Sequence, residues 1–178
     1  YSRAMEFGWT QDQEALRDRL EHFLAENLPP DWRDTAALSP GSEAVTSFSK
    51  EFCPKLAEAG LLVPHWPMQY GGNGASAWEH FILGEMLWEA GEPRGPQYYN
   101  VNWIGPALME YGSEEQKRYH LGRMCEGKVI WCQGFSEPSG GSDLAALRTK
   151  AVKQGGRYVV NGSKIWTSYA RLAEFCFL

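Results

Sequence analysis

Hydrophobic residues in the first two thirds of the chain recur every three or four positions, which is the period of amphipathic helices. Over residues 16–24 the apolar side chains share one helical face. Thr10 and Gln13 precede this run with the spacing of a capping box, in which each side chain bonds the backbone N–H of the other residue. The pattern predicts a helix that begins after Thr10 and ends before Pro29 and Pro30.

Two more capping boxes mark later helices. Ser76 and Glu79 precede an apolar run that ends at Gly91, and Ser113 and Gln116 precede a shorter run. Such pairs stabilise a first turn because they satisfy N–H groups that have no partner within the helix. The sequence therefore predicts a helix after each of the two serines.

Two prolines interrupt the other helical patterns. Residues 45–59 have helical spacing, but Pro54 lacks a backbone N–H and predicts a kink or a split. A fourth helix is predicted at residues 102–111, where Pro106 has the same effect. The glycine-rich residues 60–74 contain aromatic side chains, which predicts a loop that packs on the body of the protein.

The hydrophobic period changes near residue 129. Residues 129–135 form a continuous apolar run with β-branched and aromatic side chains, which predicts a buried strand. Further strands are predicted at 147–152 and 175–178, and Asn161-Gly162 predicts a hairpin turn between strands at 157–160 and 163–166. The predicted fold class is α+β, with an all-α domain at 1–127 followed by a β domain at 128–178.

Composition and charge narrow the class of protein. With 43% hydrophobic and 13% aromatic residues, the 178-residue chain can bury a sizeable core. A net charge of −5 argues against a nucleic-acid surface, which needs a basic face. The four cysteines lack C-x-x-C spacing and the four histidines lack H-x-x-x-H spacing, so no metal site is predicted.

The cellular compartment is predicted from the targeting and membrane signals that the sequence lacks. It shows no apolar run long enough to span a bilayer and no visible signal or transit peptide. Reduced, buried cysteines suit a bacterial cytoplasm or a mitochondrial matrix, and one of these is the expected location. Four residues precede Met5, and we expect Met5 to be the natural start.

The stretch WCQGFSEPSGGSD, residues 131–143, changes from an apolar strand into a turn of serine, proline and glycine. Pro138 and the pair Gly140-Gly141 force the chain out of the strand. Glycine lets a ligand approach the backbone, and N–H groups near Gly141 and Ser142 suit an anion such as a pyrophosphate. From these residues alone, a structural turn whose serines cap local backbone groups is the alternative.

From Gln133 onward the order of motifs resembles the acyl-CoA dehydrogenase family. In that family a strand, the turn S/T-E-P-x-x-G-S-D, a T-x-A pair, a Y-x-x-N-G-x-K segment and W-x-T/S follow one another. The matching residues here are Ser136-Glu137-Pro138, Gly141-Ser142-Asp143, Thr149 with Ala151, residues 158–164, and Trp166-Thr167-Ser168. P-x-x-Y-G-G at residues 67–72 and G-S-E-E-Q-K at 112–117 extend the resemblance to nearly the whole chain.

The resemblance implies a fold and a reaction. The fold is an N-terminal helical domain, a middle β-barrel-like domain and a C-terminal helical bundle, with FAD between the last two. The reaction is α,β-dehydrogenation of an acyl-CoA thioester, in which a base removes an α-proton and a hydride leaves Cβ for the flavin. Electrons then pass to an electron-transferring flavoprotein, and the complete protein is expected to be a homo-oligomer, a dimer of dimers.

By the same comparison, the β-barrel-like domain is incomplete in these 178 residues and the C-terminal bundle lies outside them. The family's catalytic glutamate belongs to that bundle. No catalytic residue is therefore assigned within the chain, and the chain alone is expected to be inactive.

The family's flavin segment maps onto the turn. Backbone groups of Gln133 and Phe135 would face the pyrimidine side of the flavin. The Ser136 hydroxyl would donate to the N1/O2 region, where negative charge collects on reduction. Gly141 and Ser142 would meet the FAD pyrophosphate, and Ser142 would also contact the CoA part of the substrate.

Trp166-Thr167-Ser168 would form the other part of the cofactor site. The indole of Trp166 would shield the flavin ring, and Ser168 would bond near its N5. Many family members carry threonine where Ser136 and Ser168 stand, and serine keeps the hydroxyl with a less fixed rotamer. Glu137 lies beside the turn, where ordering the loop through backbone hydrogen bonds suits it better than the role of a base.

Two other functions are compatible with these residues. One is an acyl-CoA oxidase or another flavoenzyme of the same fold, which would use oxygen as its acceptor. The other is a non-catalytic assembly subunit that has lost its flavin, which the intact Ser136, Gly141 and Trp166 disfavour. The aromatic run at residues 98–103 is expected either to line the acyl cavity or to pack between helices.

Overall fold

The computed structural model describes residues 8–39 and 41–178. Two compact units account for the chain, Tyr1–Lys128 and Val129–Leu178. The first unit is helical and the second contains the strands. The expected natural start at Met5 lies outside the described residues.

The helical unit follows the predicted amphipathic pattern. Its described α-helices, in chain order, are α1 Gln11–Asn27, α2 Trp32–Ala36, α3 Glu43–Glu58, α4 Ala77–Glu89, α5 Gln97–Tyr99, α6 Gly105–Tyr111 and α7 Glu114–Cys125. A π-helical segment, Asn100–Ile104, joins α5 to α6. Within the described part of the chain, none of the helices has the length and apolar character needed to cross a membrane.

All three predicted capping boxes are confirmed. Thr10, Ser76 and Ser113 each accept a hydrogen bond from the backbone N–H three residues on, at 3.2–3.3 Å. Each of their own N–H groups donates to the Glu or Gln side chain at that position, at 2.7–2.8 Å. The starts of α1, α4 and α7 are therefore determined locally, by residues within four positions of each other.

The expected split at Pro54 is wrong, because α3 is continuous from Glu43 to Glu58. Phe52, Cys53 and Leu56 surround the proline and are all buried. Burial of such side chains contributes about 1.5–3 kcal/mol each, which together exceeds the roughly 3 kcal/mol that an internal proline costs. Packing therefore keeps the helix intact on both sides of Pro54.

The short helix α2 was not predicted. Its five residues, WRDTA, have no apolar period that could indicate a helix. Trp32 is buried, and its indole N–H donates to the carbonyl oxygen of Ala90 at 2.6 Å. A single tryptophan thus anchors the segment through a contact that is remote in sequence.

The glycine-rich loop at 60–74 packs on the helices as predicted. Trp66 is only 1% exposed, and its indole N–H donates to the carbonyl of Val101 at 3.1 Å. A Cβ on Gly105 would overlap the Trp66 ring, so the start of α6 must be a glycine to let this tryptophan in. The loop and the π-helical segment are consequently held together in one core.

Two pairs of strands make up the β unit. Strand β1 (Trp131–Gln133) runs parallel to β4 (Phe175–Phe177), and β2 (Lys150–Gln154) pairs antiparallel with β3 (Arg157–Asn161). Strand β1 is shorter than the predicted 129–135, although residues 129–132 are buried as expected.

The predicted hairpin turn at Asn161-Gly162 is wrong. The turn lies at Gly155-Gly156, whose φ angles of 54° and 81° suit a two-residue hairpin loop that needs positive φ at both positions. Asn161 instead pairs with Lys150 at the open end of the hairpin. Gly162 is required there for another reason, since a Cβ would overlap Thr149.

Replacing Gly156 with alanine is expected to destabilise the hairpin, because a left-handed conformation costs an L-residue about 1–2 kcal/mol. The measurement is the thermal midpoint of the complete protein. The matched control is Gly122→Ala in α7, where a new Cβ meets no atom within 4 Å. That change is expected to stabilise the helix by about 0.5–1 kcal/mol. An unchanged midpoint for Gly156→Ala would show that the turn lies elsewhere.

Candidate functional site

The segment after β1 folds into a tight turn. The N–H of Glu137 donates to the carbonyl of Gly140 at 2.8 Å, and the N–H of Gly140 returns to the carbonyl of Glu137 at 3.1 Å. Pro138 and Ser139 lie exposed at the tip. The chain therefore reverses within four residues and presents Gly141 and Ser142 on its outgoing side.

The carboxylate of Glu137 holds this turn in place. It is 5% exposed and accepts the backbone N–H groups of Arg148 and Thr149 at 2.6 and 2.9 Å. The ammonium of Lys164 donates to the same carboxylate at 2.8 Å and to the carbonyl of Phe135 at 2.9 Å. The prediction that Glu137 orders the turn through backbone hydrogen bonds is confirmed.

These contacts also set the protonation state of Glu137. The ion pair with Lys164, followed by the contacts with Thr149 and Arg148, lowers the pKa of Glu137 from 4.5 to about 2. A carboxylate with so low a pKa is a weak base at neutral pH. Glu137 is thus a structural group of the turn.

Ser136 and Gly141 meet at the mouth of the turn. A Cβ on Gly141 would lie 3.3 Å from the hydroxyl oxygen of Ser136. The absence of a side chain at 141 therefore leaves the Ser136 hydroxyl open on that side. The carbonyl of Ser136 accepts the N–H of Ile165 at 2.9 Å, which brings the Trp166 segment alongside.

The outgoing side of the turn offers unpaired donors. Among the described residues, the N–H groups of Gly141 and Ser142 donate to no protein acceptor, and both residues are exposed. Successive free N–H groups beside a glycine form a concave site for an anion. The residues present therefore fit a phosphate-bearing group such as FAD.

Trp166 has an unusual backbone conformation. Its φ is 55°, its side chain is 85% exposed, and its carbonyl accepts the N–H of Ser168 at 2.9 Å. Positive φ is uncommon for a bulky residue and indicates a local constraint. The indole, like the half-exposed Phe135 ring, is available to a flat aromatic ligand.

The other predicted residues lie at the edges of this arrangement. Gln133 ends β1, is half-buried and pairs with Phe177. Thr167 is half-buried and Ser168 is exposed. The structure brings Ser136 together with Gly141 and with the chain next to Trp166. Among the described residues, Ser136 has no hydrogen bond to Gln133, Ser142 or Ser168.

Lys164 supports the turn of the candidate site, and sequence reasoning did not single it out. It lies 27 positions from Glu137, so neither helical nor strand periodicity relates the two charges. The one available signal was its place as the last residue of Y-x-x-N-G-x-K. The positive φ of Trp166 had no signal, because tryptophan does not favour that conformation.

Comparison with known proteins identifies the family. The model described as acyl-CoA dehydrogenase, N-terminal domain, matches residues 10–128, and the model described as acyl-CoA dehydrogenase, middle domain, matches residues 132–178. Acyl-CoA dehydrogenase FadE26 of Mycobacterium tuberculosis is 37% identical over 174 residues, which cover 98% of this chain and 43% of that protein. The chain belongs to the acyl-CoA dehydrogenase family.

Solved structures agree with this assignment. The ChsE4-ChsE5 complex from Mycobacterium tuberculosis matches with a TM-score of 0.84 and 36% identity, over 98% of this chain and 43% of that chain. A structure titled Tcur3481-Tcur3483 steroid ACAD matches with a TM-score of 0.84 and 36% identity, over 98% of this chain and 44% of that chain. A glutaryl-CoA dehydrogenase from Mycobacterium smegmatis in complex with FADH2 matches with a TM-score of 0.74 and 28% identity, over 94% of this chain and 42% of that chain. The chain thus spans less than half the length of the proteins it matches.

The Glu137 network predicts a pH dependence of stability. Because folding lowers the pKa of Glu137 from 4.5 to about 2, its stabilisation is fully present above about pH 4.5 and is lost as the pH falls towards 2. Glu137→Gln should therefore lower the thermal midpoint at pH 6 and have progressively less effect below pH 4.5. Thermal unfolding across this pH range, followed by circular dichroism, measures the difference between the two proteins.

The matched control for this prediction is Glu126→Gln. Glu126 pairs with Lys128 at 3.1 Å on the exposed surface, where ion pairs contribute little. Its midpoint should follow that of the wild type. A Glu137→Gln effect of constant size from pH 6 to pH 2 would contradict the proposed role of the ionised carboxylate.

Proposed function

We propose that the complete protein is an FAD-dependent dehydrogenase that introduces an α,β double bond into an acyl-CoA thioester. The observation that carries this proposal is the turn after β1, where Gly141 adjoins the hydroxyl of Ser136 and the N–H groups of Gly141 and Ser142 have no acceptor among the described residues. That turn falls in the part of the chain matched by the acyl-CoA dehydrogenase middle domain. When bound, FAD supplies the two-electron acceptor that dehydrogenation requires.

Each residue of the site has a proposed task. Backbone groups of Gln133 and Phe135, with the Ser136 hydroxyl, orient the pyrimidine side of the ring. Gly141 and Ser142 donate N–H groups to the pyrophosphate. A donor that is already positioned where charge develops stabilises that charge without rearrangement, and the Glu137 network supplies this rigidity.

The segment Trp166-Thr167-Ser168 completes the proposed site. The exposed indole of Trp166 covers the ring and excludes water from it, and the Ser168 hydroxyl bonds near the reacting edge. Thr167 is half-buried, and its carbonyl accepts the N–H of Ala170 at 3.2 Å. The FADH2 complex among the structural neighbours supports FAD as the cofactor.

The substrate and partners of the complete protein are part of the same proposal. Ser142 contacts the CoA portion of the thioester, and an electron-transferring flavoprotein takes the electrons. We propose a ring-bearing acyl group, because one structural neighbour is titled a steroid ACAD. The expected assembly is an oligomer of dehydrogenase subunits, and the neighbour described as a two-component complex supports assembly.

The double variant Gly141→Val with Ser142→Ala is expected to lose most of its FAD during purification. The valine side chain would crowd the Ser136 hydroxyl, which already lies 3.3 Å from a Cβ at this position. The measurement is the ratio of flavin absorbance to protein. Ser139→Ala, at the exposed tip of the same turn, is the control and should retain the wild-type ratio. Full flavin content in the double variant would place the pyrophosphate elsewhere.

Anaerobic addition of an acyl-CoA to the complete protein is expected to bleach its flavin absorbance band. Straight, branched and ring-bearing thioesters should be compared, with the ring-bearing thioester expected to act at the lowest concentration. Rapid reoxidation of the bleached protein by oxygen would favour an oxidase. Failure to bleach with every thioester would favour a non-catalytic assembly subunit.

A further inference from the structure

The peptide unit between Phe135 and Ser136 is bonded at its carbonyl end and free at its N–H end. Its carbonyl, that of Phe135, accepts the ammonium of Lys164 at 2.9 Å. Its N–H, that of Ser136, donates to no protein acceptor among residues 8–39 and 41–178. In a trans peptide the N–H and the C=O point in opposite directions. The free N–H therefore points to the side of the chain away from Lys164.

Hydrogen bonds on either side hold this peptide in place. The next carbonyl, that of Ser136, accepts the N–H of Ile165 at 2.9 Å. The next N–H, that of Glu137, donates to the carbonyl of Gly140 at 2.8 Å. The Ser136 N–H is thus a fixed donor on a half-buried residue, beside the hydroxyl that carries the proposed flavin contact.

The side chain of Lys164 is held as firmly as the peptide. It is 16% exposed, and its ammonium also donates to the carboxylate of Glu137 at 2.8 Å. Its aliphatic stem passes beside Gly134, where a Cβ would lie 3.6 Å from the lysine Cγ. The cation is therefore fixed on the Phe135 carbonyl by contacts within the β unit.

A cation bonded to a carbonyl oxygen draws electron density out of the amide and makes its N–H a stronger donor. Hydrogen bonds in a chain strengthen one another in this way, most of all where water is scarce. A bond from a charged donor is also about twice as strong as one between neutral groups. Because Glu137 neutralises Lys164, this influence acts through the peptide more than through a net charge.

We infer that Lys164 is a positioning residue of the proposed flavin site, which polarises the Phe135–Ser136 peptide and makes the Ser136 N–H a strong donor to the N1/O2 region of the ring. Negative charge collects on that region on reduction, so a stronger donor raises the reduction potential. This inference rests on the proposed function for the presence of FAD, and it adds a residue that sets the potential.

The test measures the two-electron potential of the flavin in the complete protein, by equilibration with a reference dye. Lys164→Met keeps a long stem beside Gly134 and removes the cation. The equilibrium constant for reduction should fall about tenfold, which lowers the potential by about 30 mV. The thermal midpoint is recorded in parallel, because the loss of the ion pair should also lower stability.

Glu137→Gln separates the electronic role from a structural one. It breaks the same ion pair but leaves Lys164 on the Phe135 carbonyl. Both variants should lose stability, yet the potential of Glu137→Gln should stay at or above that of the wild type, since a negative charge is removed. The double variant removes a neutral pair. Its potential should remain at least threefold, about 15 mV, below the wild type.

Ser136→Ala separates the backbone N–H from the hydroxyl, because alanine keeps only the first. Adding Lys164→Met to Ser136→Ala should lower the potential by the same factor as in the wild type. Lys128→Met is the matched control. Lys128 also pairs with a glutamate, Glu126 at 3.1 Å, but on the exposed surface of the helical unit. Its potential should equal that of the wild type.

Two further variants cover the case in which Lys164→Met does not retain flavin. Lys164→Gln keeps a neutral donor, so its equilibrium constant should fall about threefold. Lys164→Arg keeps a cation and should restore a potential close to that of the wild type.

Several results would overturn the inference. These are wild-type potentials in both Lys164→Met and Lys164→Gln, equal falls in Lys164→Met and Glu137→Gln, a double variant at the wild-type potential, or an effect that disappears with Ser136→Ala. A lowered potential in Lys164→Met without bleaching of the wild type by any acyl-CoA would instead overturn the proposed dehydrogenation and leave this inference standing. The two proposals therefore fail in distinguishable ways.

Discussion

The buried carboxylate of Glu137 is the group on which the turn of the proposed flavin site depends. It joins three parts of the β unit that are far apart in sequence: its own turn, the backbone N–H groups of Arg148 and Thr149, and the ammonium of Lys164. Because Lys164 also bonds the carbonyl of Phe135, the end of β1 and the segment leading to Trp166 are tied at one point. A charge that is fully bonded in this way rigidifies its surroundings, which suits donors that must not move.

The helical unit also contains a largely buried ion pair, between Glu92 and Arg94. Two hydrogen bonds join the guanidinium to the carboxylate. In the β unit, the hydrogen bonds described for Glu137 and Lys164 all join groups of the protein to one another. In the helical unit, Nη1 of Arg94 has no hydrogen-bond partner among the described residues.

Features of the fold that depend on neighbours in sequence could be predicted, and those that depend on distant contacts could not. Capping boxes at Thr10, Ser76 and Ser113 were readable because both partners lie three residues apart. The hairpin was misplaced because Asn161-Gly162 is a strong local signal, yet the pairing of β2 with β3 selects Gly155-Gly156. The continuity of α3 through Pro54 followed from burial on both sides, which local rules do not contain.

Within the candidate site, the turn and its serines could be predicted from the order of residues. The ion pair that holds the turn in place could not. Sequence spacing does not relate Glu137 to Lys164, since their pairing is a product of tertiary packing. The left-handed conformation of Trp166 belongs to the same group.

That conformation has an evolutionary consequence. At position 166 the backbone favours glycine, while the proposed shielding of the flavin requires a large ring. Selection for thermal stability alone should therefore enrich Trp166→Gly. The substitution would remove the exposed indole ring. Stability and the proposed role in flavin binding therefore impose opposing demands on position 166, so libraries built for thermostability should leave it unvaried.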